Sequence, residues 1–437
     1  MLHRILWVAL ALVLIGFSIP PINNHFHGGS NKDYPMWFAT GQGVLHGESP
    51  YPAQRDAAFP FMYPPACAAI LALLSIPGHL PFIIILVMFC NISWILCALL
   101  CVYFAAGSWW KQQWLLYLVP NLFCVGYAWG IYLLGQPILF LLACMLGALW
   151  GLQRRRPVLT GALIALAAAI KAFPILALGY LIYRRQWTAA ASCVVCLGLL
   201  LLALPACFRG PAGAVHDLRV WTDGMLLKYD ENGIAQRAER GATWRNGSLV
   251  SVANRLMRPV IADHWKDDAE PFCVNVVAAS FRTVNVILAA AALGLCGFYL
   301  YVMPRRAART RETDMVEYAM MLILVILFTP LSFTYLNFWA LFPLTLVFQF
   351  IIDDRNPPRA RWISLGALLA VLALTLISIP ATSWMIYLRA MGNTCAANLV
   401  LFFVLGYQMR VIRRVRRAAP ARVASLRTTS NAVAHSG

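Results

Sequence analysis

Charge is scarce in this chain. Asp, Glu, Lys and Arg make up 12% of its 437 residues, against roughly a quarter in soluble globular proteins. With 61% of residues hydrophobic, that scarcity excludes an ordinary soluble domain. Acids are the rarer sign, 17 against 35 Lys and Arg. Familiar reactive signatures are also missing. There is no D-x-D, no H-E-x-x-H and no Cys/His ligand cluster, so neither a metal site nor a cofactor is expected. A P-loop for nucleotide phosphates is absent, and so is a G-x-S-x-G nucleophile turn. No repeat of fixed period appears.

What is present is a succession of apolar runs near membrane-spanning length, which predicts an all-α polytopic membrane protein. The net charge of +18 does not point to nucleic acid. Its basic residues sit in short clusters between apolar runs, where they orient helices in a lipid bilayer. The clusters are Arg4, Lys111, Arg154–Arg156, Arg184–Arg185, Arg305–Arg311, Arg355–Arg361 and Arg410–Arg417. Placing all of them on the cytoplasmic side requires six outward-and-back pairs, about twelve transmembrane helices, with both termini inside. The first helix, about 5–21, looks like a signal peptide without a cleavage site and is read as retained. The others fall at about 82–105, 114–132, 137–152, a pair within 158–183, 187–205, 282–303, 315–331, 337–352, 362–380 and 394–409.

Four blocks follow. Residues 1–205 form an N-terminal module whose first external loop is 22–80. Residues 206–280 are a large external loop, 281–410 the remaining helices, and 411–437 a basic, disordered cytoplasmic tail. Within the first loop, 31–65 is dense in Gly, Pro and aromatic residues and is expected to be irregular. Ala66–Ile76, bounded by prolines, is too short to span and predicts an interfacial helix. The stretch 158–183 has Arg clusters at both ends and Lys171 and Pro174 at its middle, so two short helices must meet there. Broken helices occur at membrane depth where they line a cavity or are buried in protein. Most of the twelve cysteines lie in apolar runs and act as small hydrophobes. Cys207 and Cys273 share the large loop and could pair.

The outer face then collects Asp33, Tyr63, Gln136, Lys171, Arg245, Asn246, Ser248 and Arg255. One carboxylate among several cations suits transfer from a phosphate-linked donor. The acid takes the proton of the attacking hydroxyl, and the cations stabilise the departing phosphate. A single carboxylate implies direct displacement with inversion. Asp33 could instead cap a helix, and Lys171 could snorkel to the headgroups. Asn246-Gly247-Ser248 also matches a glycosylation acceptor, a weak three-residue pattern.

Several motifs in order carry a resemblance: Asp33-Tyr34, Gly41 to Tyr51, Phe61 to Pro65, Gly135 to Pro137, Lys171 to Pro174, Asn246 to Leu249, and Thr329 to Ser332. Together they resemble glycosyltransferase family 87, of the GT-C class. The family includes polyprenol-phosphate-mannose-dependent mannosyltransferases. The resemblance implies a GT-C-like fold and a hexosyltransferase acting outside a bacterial inner membrane. Its substrates would be a polyprenyl-phosphate sugar and a lipid or glycan acceptor. It also implies Asp33 as catalytic base. Charge alone assigns Lys171, Arg245 and Arg255 to the donor phosphate, with Tyr34, Tyr63, Gln136, Asn246 and Ser248 shaping the pocket. Where the family commonly has Asn after Gly-Gln, this chain has Pro137. The competing readings are a flippase or transporter of lipid-linked sugars, and a glycan polymerase or ligase.

Overall fold

The structure is a computed structural model describing residues 2–27, 33–51, 61–107, 114–227, 233, 241–262, 272–376 and 383–434. Seventeen α-helices account for most of it. They are α1 (Leu2–His27), α2 (Asp33–Leu45), α3 (Pro65–Ser75), α4 (His79–Ala106), α5 (Trp114–Leu134) and α6 (Ile138–Gln153). Next come α7 (Pro157–Ile170), α8 (Ala177–Tyr183), α9 (Trp187–Gly198), α10 (Leu204–Trp221), α11 (Leu249–Met257) and α12 (Phe281–Val302). The last are α13 (Arg311–Phe328), α14 (Leu341–Ile352), α15 (Pro358–Leu376), α16 (Ser383–Ala390) and α17 (Asn393–Ala434). Among the described residues no strand forms; Asn246 and Phe333 make one isolated bridge. This is the all-helical, polytopic architecture that the apolar runs predict.

Among the described residues, seven helical stretches are long and apolar enough to cross a bilayer: 79–106, 114–134, 187–226, 281–302, 334–352, 358–376 and 393–415. The apolar helices α6 and α7 and the stretch 173–183 are shorter. At 1.5 Å per residue, the 16 residues of α6 reach only about 24 Å, less than the roughly 30 Å hydrocarbon core. The expected break in 158–183 is present. Helix α7 stops at Ile170, Lys171 is extended (φ −148°, ψ 123°), and Phe173–Leu176 makes a 3₁₀ turn into α8.

Three expectations change. The Gly-rich start of the first loop is helical. In α2, Tyr34, Trp37, Gly41 and Val44 are buried, a 3–4–3 spacing that puts them on one helical face. That packing outweighs the roughly 1 kcal/mol that each glycine costs a helix. Gly41 is needed there, because a Cβ would lie 2.6 Å from the Leu71 carbonyl oxygen of α3. Helix α3 occupies the expected interfacial segment, yet eight of its eleven residues are buried, so it is mainly a packing element. The large loop also begins later than expected. Beyond position 205 the chain stays helical to Leu226, with a break at Gly210 (φ 68°) before Pro211. Finally, α17 runs on to Ala434, so the tail is helical where composition suggested disorder. Cys207 and Cys273 are exposed free thiols and are not paired.

Two ends of the bundle are distinguishable. At one, Arg184 pairs with Asp314 at 2.7 Å and Glu317 at 2.9 Å, and Arg309 reaches Glu317 at 3.5 Å. Arg311 Nη2 donates to the Tyr103 carbonyl at 2.9 Å, and Arg413 Nη1 to that of Val302 at 2.9 Å. Three of the basic clusters thus engage the helix ends there. The other end carries α2, α3, α11, α16 and the turns after α5 and α13. Asp217, 1% exposed, ties this end together. It accepts from Arg209 Nε at 2.9 Å and from Ser49 Oγ at 2.7 Å.

Candidate active site

The second end holds a cavity of about 620 Å³ lined by parts of α2, α5, the break after α7, and the segments 221–226, 245, 328–335 and 389. Asp33 opens α2 and faces this cavity. An acid in the first turn is favoured by the positive end of the helix dipole. Gln136 Nε2 donates to Asp33 Oδ2. The same amide's Oε1 accepts from Tyr63 Oη at 3.1 Å and from Lys171 Nζ at 3.1 Å. Two donors on one side fix the amide's orientation, so its NH₂ must face the carboxylate. Burial raises the Tyr63 phenol pKa well above its ordinary value, which keeps it protonated and donating. Base candidate, amide and ammonium therefore form one hydrogen-bonded chain.

Local sequence explains each placement. Gly135 turns the chain after α5 with φ +70°, and the Gln136 N–H bonds back to the Ile131 carbonyl at 3.0 Å. A Cβ at Gly135 would also crowd the Tyr34 ring, 3.0 Å away. Tyr34 itself is fully buried behind the cavity. Its Oη donates to the Tyr132 carbonyl at 2.9 Å, which pins the first turn of α2 beside that glycine. It thus supports the turn that carries Asp33 and does not line the pocket. The Lys171 ammonium lies 5.6 Å from the centre of the Tyr63 ring and 5.2 Å from that of Tyr335. Such aromatic faces stabilise a cation held in a poorly hydrated place.

The large-loop residues divide. Arg245 lines the cavity, its guanidinium 4.7 Å from the Trp244 ring centre. Arg255 does not line it. Fully buried, it donates to the carbonyls of Ala390 at 2.7 Å, Thr243 at 2.7 Å and Asn246 at 2.9 Å. Burial lowers its pKa to about 9, so it remains charged at neutral pH, committed to holding the loop. Asn246 and Ser248 are equally buried. Asn246 Nδ2 donates to the Pro330 carbonyl at 2.8 Å. Its Oδ1 accepts from the backbone N–H of Ser248 at 3.1 Å and of Ser332 at 3.0 Å. Ser248 caps α11 by accepting from the Ser251 N–H at 3.1 Å. Asn-Gly-Ser-Leu and Thr-Pro-Leu-Ser are thus two halves of one backbone knot. Gly247 sits inside it, where a Cβ would meet Thr394 Oγ1 at 2.3 Å.

Arg389 was not evident from the sequence. It lines the cavity, its guanidinium 4.3 Å from the same Trp244 ring, and donates to Thr334 Oγ1 at 3.4 Å. Burial, and then neighbouring Arg245, lower its pKa to about 10. The available signal was an arginine between the last two apolar runs, on the face where basic residues are rare. The rest of the lining is largely apolar, with Met36, Met62, Phe173, Leu176, Trp221 and Leu226 among its residues. Gly126, Gly130 and Leu134 mark one face of α5 as a groove. No atom lies within 4 Å of a Cβ built on Gly126. Among the described residues, no three His, Cys, Asp or Glu side chains group as a metal site.

An all-helical, multi-pass architecture with a mostly apolar cavity that presents one carboxylate among cations defines an integral-membrane protein. Residues 61–330 match the model of glycosyltransferase family 87. That is more than half of the chain, which belongs to this family and is a membrane glycosyltransferase. No curated protein and no solved structure matches. The matched stretch includes Tyr63, Gln136, Lys171 and Arg245, while Asp33 and Arg389 lie on either side of it.

Proposed function

We propose that this protein transfers a hexose, such as mannose, from a polyprenyl phosphate to a lipid or glycan acceptor, without a cofactor. The observation that carries this reading is the convergence of Asp33 with Lys171, Arg245 and Arg389 on one mostly apolar cavity. The donor's tail lies along the groove of α5, and its sugar sits between the carboxylate and the arginines. Asp33 takes the proton of the acceptor hydroxyl. That oxygen bonds to the anomeric carbon from the face opposite the leaving group, and the carbon–oxygen bond to phosphate breaks. The electron pair leaves with polyprenyl phosphate, and the product is inverted. The negative charge that builds on the departing phosphate gains most from cations fixed in advance in a site that excludes water. With the basic clusters inside, the site faces the periplasm and both termini the cytoplasm.

The test follows label from radioactive polyprenyl-phosphate hexoses into a new lipid or glycan, using purified protein and membrane extract. Transfer by the native protein and its loss in Asp33→Asn, by about 10³-fold, is the expected result for a general base. Full activity of Asp33→Asn would overturn the role of Asp33. Transfer from a sugar nucleotide with none from polyprenyl phosphates would overturn the donor class. The break at Lys171 also suits a transporter; that reading predicts lipid movement across vesicles with no new glycosidic bond.

A further inference from the structure

We infer that the donor phosphate is seated by Arg245 and Arg389 on Trp244, and that Lys171 belongs to the base's side of the cavity as a positioning residue. This rests on the function proposed above. Inverting chemistry at a sugar carbon puts the base and the leaving group on opposite faces of the ring. In inverting glycosidases the two carboxyls that serve those faces stand roughly 6.5–9.5 Å apart. Lys171 does not fit the far position. Its ammonium hydrogen-bonds Gln136 Oε1 at 3.1 Å, and that amide's other end is on Asp33. A cation one amide away from the base holds the base in place and compensates its charge.

That leaves the far position to the two arginines. Both guanidiniums lie within 5 Å of one indole centre, at 4.7 and 4.3 Å, and both line the cavity. Among the described residues, the carboxylate ion pairs involve Arg184, Arg209, Arg309, Arg355 and Arg361, and not Arg389. The hydrogen bond of Arg389 is to the neutral hydroxyl of Thr334. Thr334 adjoins Tyr335, whose ring faces Lys171. Lys171 and Arg389 therefore contact adjacent residues of one segment, with Lys171 linked to Asp33 through Gln136. A planar guanidinium pair presents forked donors that match phosphate oxygens.

The experiment measures binding of a polyprenyl phosphate, the product left after transfer, to full-length protein in nanodiscs, alongside donor KM and kcat. Inorganic phosphate and phosphatidylglycerol serve as comparison anions, separating a phosphate seat that needs the polyprenyl tail from general attraction to anions or to lipid headgroups. Arg389→Gln and Arg245→Gln should each weaken polyprenyl phosphate binding at least tenfold and raise donor KM. Arg389→Lys should recover part of the loss, which distinguishes a charge effect from misfolding. Lys171→Met should lower kcat at least tenfold and leave polyprenyl phosphate affinity within twofold. Native binding in Arg389→Gln, or lost binding in Lys171→Met, would overturn the assignment while leaving the donor class intact. Equal affinity for phosphatidylglycerol would also overturn it. If the native protein neither binds polyprenyl phosphate nor uses its sugar conjugates, the proposed function fails and this assignment with it.

Discussion

At the scale of single residues, Gln136 does the most with the least. One neutral amide, 3% exposed, orients a carboxylate, a phenol and an ammonium. Replacing it with leucine keeps the bulk and leaves the Tyr63 and Lys171 donors without their acceptor, a loss of roughly 1–3 kcal/mol for each buried group left unsatisfied. Gln136→Leu should therefore lower kcat by about 10- to 100-fold, with a smaller change in donor KM, in the labelled-donor assay. Sequence could place Gln136 outside by counting crossings, and could place Asp33 and Lys171 beside it. It could not show that the three form a chain, because that depends on where α2, the turn after α5 and the break after α7 meet in space. Arg255 shows the converse. Its charge and its loop suggested phosphate, but the side chain is fully buried, held by carbonyls of Thr243, Asn246 and Ala390, and does not line the cavity. Only burial separates it from Arg389.

Among the elements, hydropathy and charge located most of the long helices to within a few residues and located the break at Lys171, but not the helical continuations to Leu226 and Ala434. Gly and Pro content misled at α2, where tertiary contact with α3 sets the conformation. Gly41 is the point of closest approach, so Gly41→Ala should force the helices apart. The expected cost is about 1–3 kcal/mol, as for other overpacked interiors, read as a lower thermal midpoint in detergent. The groove on α5 makes a different prediction. Filling it with Gly126→Leu or Gly130→Leu should raise KM for long-chain donors several-fold and leave a short-chain analogue unaffected. A loss of equal size with both donors would show that the substitution damages the bundle and would count against the groove.

For the molecule as a whole, the two ends are built for different purposes. One is closed by ion pairs around Glu317, which is fully buried and holds Arg184 and Arg309. Glu317→Ala would leave both cations without that partner, and removing one member of a buried pair costs roughly 3–5 kcal/mol. It should lower the thermal midpoint sharply while donor KM in the surviving fraction stays native. Sidedness is checked with single cysteines in a cysteine-free background. A membrane-impermeant thiol reagent added to intact cells should label position 33 and spare position 154. The groove on α5 has a further result. Its deep end at Gly126 is exposed, and the eight residues from there to Leu134 cover about 12 Å of helix, so the furrow has no far wall against which a guest could be measured. The enzyme would grip its carrier by the head and the first stretch of tail and leave the remaining isoprene units uncounted, so carriers long enough to fill the groove should compete as equals whatever their further length.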